Sequence, residues 1–341
     1  MVTTIKDIAK QAGVSHATVS RALHHSPLIS EETTKRIQKI AVELNYRPSF
    51  AARSLKTNRS QALGVIVSHI DDPFFSEILQ GIDDISQMND YSLFIAASQH
   101  DPVRERAIVQ TMREHRVDGV ILCSPRFTRE QSDQLHSYDI PIVAINNQAI
   151  DDYPYSIYHD DVDGARQVCE YLINIGHKRI AYLGDATSGR TTKERMAGFK
   201  QTMDKAGLSI RTEHIHLVPG NSSRQGFEAV EYLLSLDLRP SALICYNDMM
   251  AVGVLKGFRQ AGLRVPEDIS VTGFDNITVS DYTDPPLTTI DQPKRFLGAE
   301  AARMMLDQLD NTTNSTDNGS NVKRLQGTLL IRLSTAMLIN D

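Results

Sequence analysis

Residues 4–25, TIKDIAKQAGVSHATVSRALHH, constrain this chain most, because they predict two short helices joined by a tight turn. Thr4 and Asp7 have the spacing of a capping box, which begins a helix. Gly13 stands where a helix ends in a left-handed residue, and Ser15 is a candidate N-cap for the next helix. Apolar residues recur in the first helix at helical spacing, at Ile5, Ile8, Ala9 and Ala12.

The second helix, residues 16–23, has an apolar face and a polar face. Its apolar face carries Val19, Ala22 and Leu23, and its other face carries His16, Ala17, Thr18, Ser20 and Arg21. Short hydroxyl donors, a histidine and an arginine can reach base edges and phosphates in a major groove. The segment therefore predicts a helix-turn-helix with 16–23 as its recognition helix, and an ordinary hairpin in a helical core is the alternative.

Charge is distributed unevenly along the chain. The first 60 residues hold ten Lys and Arg against four Asp and Glu, a net charge of +6. Because the whole chain carries −6, the remainder carries −12. A basic head on an acidic body suits a DNA-binding module whose body does not adhere to phosphate, although a chance cluster of basic residues gives the same count.

A third helix is predicted from Ser30 to about Leu44, which completes a small three-helix bundle. The bundle ends before Pro48, because the residue that precedes a proline is pushed out of helical geometry. The following linker, 49–60, is rich in Ala, Arg and Ser and can form a turn or two of helix. Its Leu55 has two interpretations, a wedge for a DNA minor groove or a contact with the body, and spacing alone favours neither.

From Ala62 onward, apolar strands alternate with amphipathic helices, which predicts a doubly wound α/β body. About ten strands exceed one comfortable sheet, so we expect two sheets with a cleft between them, and ligands bind beyond the carboxyl ends of such strands. Amide, carboxylate and guanidinium groups near strand ends, with Phe74 and Phe75 as an apolar wall, suit a polyhydroxylated small molecule. The polar residues in question are His69, Asp71, Asp72, Ser98, Ser124, Asn146, Asn147, His159, Asp160, Asp161, Asp185, Asn247, Asp248, Asp275 and Asn276, with Arg195 in a following helix.

Several classes of protein are disfavoured. No stretch approaches the length of about 18 apolar residues that a membrane span needs, and the start, MVTTIKDIAK, lacks the apolar core of a signal peptide. The three cysteines are unpaired in spacing, so we expect reduced core thiols in a cytoplasm, with no metal site and no cofactor. Neither a phosphate-binding glycine loop nor a nucleophile elbow is present, which argues against an enzyme.

Eight runs together resemble the LacI family of transcriptional regulators over nearly the whole length: TIKDIAKQAGVSHATVSRAL, ISEETTKRI, ELNYRPSFAARSL, GHKRIAYLGD, ERMAGF, NDMMAVG, DISVTGFDN and LTTIDQP. The resemblance implies an all-α three-helix headpiece with a hinge helix, followed by a two-lobed α/β body with parallel sheets, like a periplasmic binding protein. The implied boundaries are headpiece 1–48, hinge 49–59 and body 60–341, the latter split into an N-lobe (60–161 and 291–321) and a C-lobe (162–290 and 322–341).

By matching position, the resemblance implies roles for individual residues. His16, Ala17 and Arg21 are expected to read bases, with Ala52 and Leu55 in the minor groove. The other DNA-contacting positions are Thr4, Ser15, Thr18 and Ser20. The expected effector contacts are Phe74, Arg195, Asn247 and Asp275, with Asn147 and Gln292 as weaker candidates. Family members often have a bulky aromatic residue in the loop whose sequence here is PGNSSRQ. This loop has no aromatic residue to stack on a ring, so the resemblance does not fix the class of ligand.

The implied function is a repressor that binds a pseudo-palindromic operator as a dimer or tetramer and is controlled by a sugar or related metabolite between its lobes. The effector is expected to close the lobes and thereby move the paired N-lobes, so that the hinge helices lose their register on DNA. The opposite sign, an effector acting as corepressor, is left open by the sequence, and no feature selects regulation through a phosphoprotein partner. An exported solute-binding protein and a sugar-processing enzyme are the alternatives from other classes. The absence of a signal peptide and the presence of a basic head disfavour the exported solute-binding protein. The absence of a catalytic constellation disfavours the sugar-processing enzyme.

Overall fold

A computed structural model describes residues 3–23, 26–46, 59–125, 140–149, 153–311 and 321–338. The chain divides into two compact units, Met1–Ser60 and Gln61–Asp341. No helix of these described residues is both long enough and apolar enough to cross a membrane.

The first unit is a bundle of three helices: α1 (Ile5–Ala12), α2 (His16–Leu23) and α3 (Glu31–Glu43). Gly13 adopts φ of 65° and closes the end of α1, as a residue without Cβ does at low cost. Each helix contributes a fully buried side chain to one core, namely Ile8, Val19 and Ile37. The polar faces of the short helices are thereby turned outward.

The second unit has two lobes. Lobe 1 contains β1 (Ala62–Val67), β2 (Ser92–Ala97), β3 (Gly119–Cys123), β4 (Ile142–Ile145), β5 (Tyr155–His159) and β11 (Asn321–Leu325), with α4 (Pro73–Met88), α5 (Pro102–Glu114) and α10 (Lys294–Asn311). Its six strands are parallel in the order β11-β5-β4-β3-β1-β2. The inner strands β1, β3 and β4 are buried throughout, because helices cover both faces of a parallel sheet.

Lobe 2 repeats this architecture. It contains β6 (Ile180–Asp185), β7 (Ile215–Val218), β8 (Ala242–Cys245), β9 (Ser270–Thr272), β10 (Thr289–Asp291) and β12 (Thr328–Leu330), with α6 (Asp161–Asn174), α7 (Arg190–Lys205), α8 (Ser223–Leu234) and α9 (Asp248–Gln260). Four strands form a parallel sheet in the order β7-β6-β8-β9, and β10 pairs antiparallel with β12 beside it. The predicted architecture of two parallel α/β lobes is therefore observed.

The chain passes between the lobes three times: from β5 to α6, from β10 to α10, and from β11 to β12. The third crossing corrects the expected boundary, since residues 322–325 lie in the sheet of lobe 1 and not in lobe 2. They belong to β11, which pairs in parallel register with β5, Asn321 opposite Tyr155. The sequence NVKRL is largely polar and adjoins a low-complexity stretch, so it does not predict a strand. It forms an edge strand because it pairs with β5, which is far away in sequence.

Candidate functional site

The outer face of α2 carries the helix-turn-helix residues predicted to read bases. His16, Ala17 and Arg21 are exposed, while Thr18 and Ser20 are half-buried. Their exposure follows from the opposite face, where Val19 and Ala22 are fully buried. The geometry leaves an imidazole, a methyl group and a guanidinium on one accessible surface of a short helix, which is the chemistry that a major groove can accept.

The remaining predicted DNA-contacting residues of the headpiece are helix caps. The hydroxyl and the backbone N–H of Thr4 donate to the Asp7 carboxylate at 2.7 and 2.8 Å, and these bonds lower the pKa of Asp7. Ser15 Oγ accepts the backbone N–H of Thr18 at 3.1 Å, which begins α2. The predicted minor-groove residues Ala52 and Leu55 lie outside the described residues.

A cleft between the two lobes gathers groups from the carboxyl ends of both sheets. It encloses about 50 Å³ and is lined by Ser68, Asp72, Phe74, Phe75, His100, Ser124, Asn146, Gln148, Ser188, Thr191, Arg195, Asn221, Tyr246, Asn247 and Asp275. At about 10–15 Å³ for each water position, this volume admits only a few waters. A ligand as large as a sugar ring therefore enters only when the lobes or side chains move apart.

Gln148 of lobe 1 closes one side of the cleft against lobe 2. Its amide nitrogen donates to Thr191 Oγ1 at 2.9 Å, and its amide oxygen accepts the backbone N–H of Thr191 at 3.1 Å. The backbone carbonyl of Gln148 also accepts the N–H of Arg190 at 3.1 Å. These bonds hold the start of α7 to lobe 1, so opening of the cleft on this side must break them.

Arg195 is the buried cation of the cleft. Its Nε donates to Asp161 at 3.0 Å, its Nη2 lies 3.6 Å from Asp275, and its Nη1 donates to the carbonyl of Tyr246. The guanidinium also lies 3.6 Å above the centre of the Phe274 ring. Burial favours the neutral form, but the two carboxylates outweigh this effect and raise the pKa of Arg195.

The carboxylate of Asp275 is fixed from the side away from the cleft. Gln292 Nε2 donates to it at 2.6 Å, and the buried Lys294 ammonium donates to the backbone carbonyls of Asp275 and Asn276 at 2.6 and 3.1 Å. Burial raises the pKa of Asp275 well above its usual range, and Arg195 offsets part of this rise. Asp275 is thus a buried acceptor held beside a guanidinium.

Helix caps position the other polar groups of the cleft. Asn247 Oδ1 accepts the N–H of Met250 at 2.8 Å, so its amide nitrogen is left as a donor toward a ligand. Asp72 caps α4 by accepting the N–H of Phe74 at 3.0 Å, which places the Phe74 ring at the cleft wall. Burial raises the pKa of Asp72, and the bond from Phe74 opposes that rise.

The cleft contains four of the six residues expected to contact an effector: Phe74, Arg195, Asn247 and Asp275. Asn147 and Gln292 are not among its lining residues. Asn147 Oδ1 instead accepts the N–H of Ala149 at 3.1 Å, and Gln292 stands behind Asp275. The neighbouring Asn146 lines the cleft in place of Asn147.

Sequence reasoning assigned no effector contact to Tyr246, Ser188, Thr191 or Gln148. Tyr246 follows an apolar strand and reads as core, although the structure places it at the cleft, bonded to the hydroxyl of Ser188. Gln148 could have been found from the sequence, because it is a polar residue shortly after the end of β4, and ligands bind beyond the carboxyl ends of such strands. Among the described residues, no group of three or more histidine, cysteine or acidic side chains could hold a metal ion.

Comparison with known families identifies both units. Residues 4–49 match the model of bacterial regulatory proteins of the lacI family, and residues 60–328 match that of periplasmic binding proteins and the sugar binding domain of the LacI family. The chain belongs to the LacI family. It is a DNA-binding transcriptional repressor whose effector is a small metabolite, and it is not an enzyme, as its relatives are repressors.

Individual relatives of this LacI-family repressor are similar over most of its length. The transcriptional repressor PurR of Actinobacillus pleuropneumoniae is 35% identical over 307 residues, covering 90% of this chain and 91% of the relative. PurR of Vibrio vulnificus is 36% identical over 308 residues, covering 90% and 92%.

Solved structures share the fold. The lac repressor dimer bound to operator and the anti-inducer ONPF superimposes with a TM-score of 0.88 at 26% identity, covering 98% of this chain and 100% of that one. A LacI-family regulator from Enterococcus faecium with bound ribose has a TM-score of 0.71 at 28% identity, covering 82% and 100%.

Asp248 supports the loop that carries Asp275. It is the first residue of α9 and is fully buried. Its carboxylate accepts the Thr289 hydroxyl at 2.6 Å and the N–H of Ile277 at 2.9 Å, on either side of that loop. Burial raises the pKa of Asp248 to about 7, although both hydrogen bonds act in the opposite direction.

We predict that Asp248 makes the protein less stable as pH rises toward 7. The folded chain keeps the proton where the unfolded carboxyl, with a pKa near 3.8, has released it, so the free energy of unfolding falls between about pH 4 and 7. Asp248→Asn removes this titration, and its amide oxygen can still accept the N–H of Ile277 while its amide nitrogen donates to Thr289 Oγ1 in the reverse direction. The loss of Tm between pH 5 and 7.5, measured by calorimetry, should therefore be smaller in Asp248→Asn. The control is Asp237→Asn at an exposed site, and an equal loss in both variants contradicts the prediction.

Proposed function

We propose that this chain binds a pseudo-palindromic operator as a homodimer. A small polyhydroxylated molecule, a sugar, controls that binding from the cleft between the lobes. The observation that carries the proposal is the buried set of Arg195, Asp275 and Asn247, which offers donors and an acceptor on one side of a cleft walled by Phe74. Sugar hydroxyls need both kinds of partner within one site.

The operator interface in this proposal has two parts. His16, Ala17 and Arg21, which are exposed on α2, read base edges, and Thr4, Ser15, Thr18 and Ser20 contact phosphates. Ala52 and Leu55 act in the minor groove, where an apolar side chain inserted between base pairs bends the duplex. The net charge of +6 on the first 60 residues supports the phosphate contacts.

Arg21→Ala should weaken binding to the selected operator by about 1–3 kcal/mol, because a guanidinium that reads a base edge contributes that much discrimination. The operator is first selected from a random DNA pool, and affinity is measured by fluorescence anisotropy. Lys35→Ala on α3 is the control, since Lys35 is 79% exposed and on another helix. Equal losses in the two variants would show that Arg21 contributes only general charge.

Exposed apolar side chains support the homodimer. On lobe 2, Tyr282, Leu333 and Ile331 are 79%, 67% and 60% exposed. Their segments are held together, because Arg332 pairs with Asp281 at 3.1 Å and the N–H of Leu333 donates to the carbonyl of Pro286. The lac repressor, whose fold this chain shares, is described as a dimer. We assign a second copy of this chain as the occupant of this face.

Tyr282→Asp should shift the protein from dimer to monomer, because a carboxylate placed in an apolar interface must be buried without a partner. Sedimentation velocity over a range of concentrations measures the shift. Leu238→Asp introduces the same charge at an apolar residue that is 45% exposed and lies outside this face, and should leave the dimer intact. A dimeric Tyr282→Asp variant would exclude this face as the interface.

Effector control follows from the three crossings between the lobes. A ligand that binds one lobe arrangement more tightly than the other shifts the population toward it, by a coupling free energy of about 1–3 kcal/mol. The paired lobes then change the spacing of the two headpieces. Whether a ligand strengthens or weakens operator binding distinguishes a corepressor from an inducer.

Arg195→Lys should lower effector affinity at least about tenfold while leaving operator affinity unchanged, because an ammonium keeps the charge but loses the planar fork of donors. The probe is whichever of ribose, glucose, galactose, cellobiose, adenine and guanine gives the parent protein the largest thermal shift. Calorimetric titration then compares the variants, with Arg190→Lys as the control on the same helix. Unchanged affinity in Arg195→Lys would refute the cleft assignment, and binding of a nucleobase alone would refute the sugar.

A further inference from the structure

Helix α7 of lobe 2 contacts lobe 1 through two adjacent faces. Thr191 and Arg195, four residues apart, share the face that lines the cleft, and Thr191 bonds Gln148 there. Arg190 and Glu194 share the next face, which meets β5 and β11 and is not part of the cleft lining. The helix that carries the buried cation of the cleft is therefore held to lobe 1 at two separate places.

The contacts of the second face form an inter-lobe cluster of Arg190, Glu194, Tyr158 and Arg324. The Arg190 guanidinium of lobe 2 lies 4.4 Å from the centre of the Tyr158 ring of lobe 1. Arg324 of lobe 1 lies 5.4 Å from the same ring, and its Nη1 is 3.6 Å from Glu194 Oε1 of lobe 2. Arg190 Nε donates to that same carboxylate oxygen at 2.8 Å. One cation over a ring and one ion pair thus join the two lobes.

The lobe 1 half of this cluster belongs to the strands that lead into two of the crossings. Tyr158 precedes the last residue of β5, Arg324 precedes the last residue of β11, and the two are partners in the parallel register. Their side chains therefore project from the same face of the sheet. Tyr158 is buried, and Arg190 and Glu194 are half-buried, so water and salt screen these contacts less than they screen exposed pairs.

The inter-lobe cluster acts against any widening of the cleft that moves α7 away from lobe 1. The cleft encloses about 50 Å³, whereas a cavity of roughly 150 Å³ is needed to hold a benzene ring. A ligand as large as a ring therefore needs a wider cleft than the one described. Contacts that favour the narrow cleft lower the apparent affinity of such a ligand, because only the fraction of molecules with a wide cleft can bind it.

We propose that Glu194 and Arg324 are positioning residues for effector control, since their ion pair beside Tyr158 holds the lobes in the narrow arrangement. Arg190 contributes a cation that a lysine at the same position also supplies. Neither Glu194 nor Arg324 lines the cleft, so both act through the position of α7. This direction is opposite to that of an effector that closes the lobes, and the two have different consequences for effector affinity.

The start of α7 provides a readout of lobe opening that needs no ligand. The first N–H groups of a helix have no partner within the helix. In α7 the N–H of Arg190 donates to the backbone carbonyl of Gln148, and the N–H of Thr191 donates to the side-chain oxygen of Gln148. Because Gln148 belongs to lobe 1, the protection of these two amides from hydrogen exchange reports contact between the lobes.

Arg324→Gln should accelerate exchange at the Arg190 and Thr191 amides about fivefold in the full-length protein, because it removes a partly buried ion pair and a cation near a ring. Hydrogen–deuterium exchange is measured by mass spectrometry with fragmentation to single residues. Glu194→Gln, in the other lobe, should have the same effect. The double variant should exchange no more than about twofold faster than either single variant, since both remove one contact. Arg324→Lys keeps a cation and should exchange as the parent does.

Arg166→Gln is the matched control for Arg324→Gln. Arg166 is 43% exposed, against 41% for Arg324, and pairs with Asp163 and Glu170 of its own helix, α6. Its ion pairs lie within lobe 2, so their loss should leave exchange at the start of α7 unchanged. Unchanged exchange in Arg324→Gln and in Glu194→Gln overturns the proposal, as does equal acceleration in Arg166→Gln. Should Arg324→Gln fail to fold, Glu194→Gln decides the question.

Calorimetric titration tests the effect on the effector, and this part rests on the proposed function. The probe is the compound of the sugar and nucleobase panel that gives the parent protein the largest thermal shift. Arg324→Gln should bind it more tightly, by about the factor by which its amides exchange faster. Faster exchange with unchanged or weaker binding overturns the role in effector control. If no compound of the panel binds, the proposed function fails, and the exchange rates still decide whether the cluster holds the lobes.

Discussion

The buried guanidinium of Arg195 is the group on which the cleft depends. A charge inside a protein costs several kcal/mol unless it is paired and hydrogen-bonded. Here Asp161 and Asp275 supply the pairing, the Tyr246 carbonyl accepts a further bond, and the Phe274 ring lies beneath. These partners come from different elements of lobe 2, so the site exists only once that lobe is assembled.

The same contacts connect the cleft to the crossings between the lobes. Asp161 is the first residue of α6, directly after the first crossing, and Lys294 is the first residue of α10, just after the second. Lys294 bonds the carbonyl of Asp275 and lies 3.3 Å from Glu77 of lobe 1. Arg195 and Asp275 are therefore in contact with the segments that connect the two lobes.

Much of the fold could be predicted from the sequence, because each strand and helix has its own periodicity. The lobe boundary at residue 321 was wrong, since β11 is polar and its partner, β5, lies some 160 residues earlier. At the site, polar residues that follow strands predicted the correct edge of the sheet. They did not predict which side chain at that edge lines the cleft. The side chains of both Asn146 and Asn147 accept a backbone N–H, from His159 and Ala149 respectively, yet only Asn146 lines the cleft, a difference of one residue that periodicity does not resolve.

The sequence by itself determined the order of elements, the helix-turn-helix with its exposed polar face, and membership in a family of repressors. Those features depend on local spacing and on runs of residues that are adjacent in the chain. Only the tertiary structure decided that Tyr246 reaches the cleft, that Asp161 and Asp275 both lie beside Arg195, and that Gln148 of lobe 1 bonds Thr191 of lobe 2. Each of these facts joins residues that are far apart in sequence, and no local pattern records which of them meet once the lobes have folded.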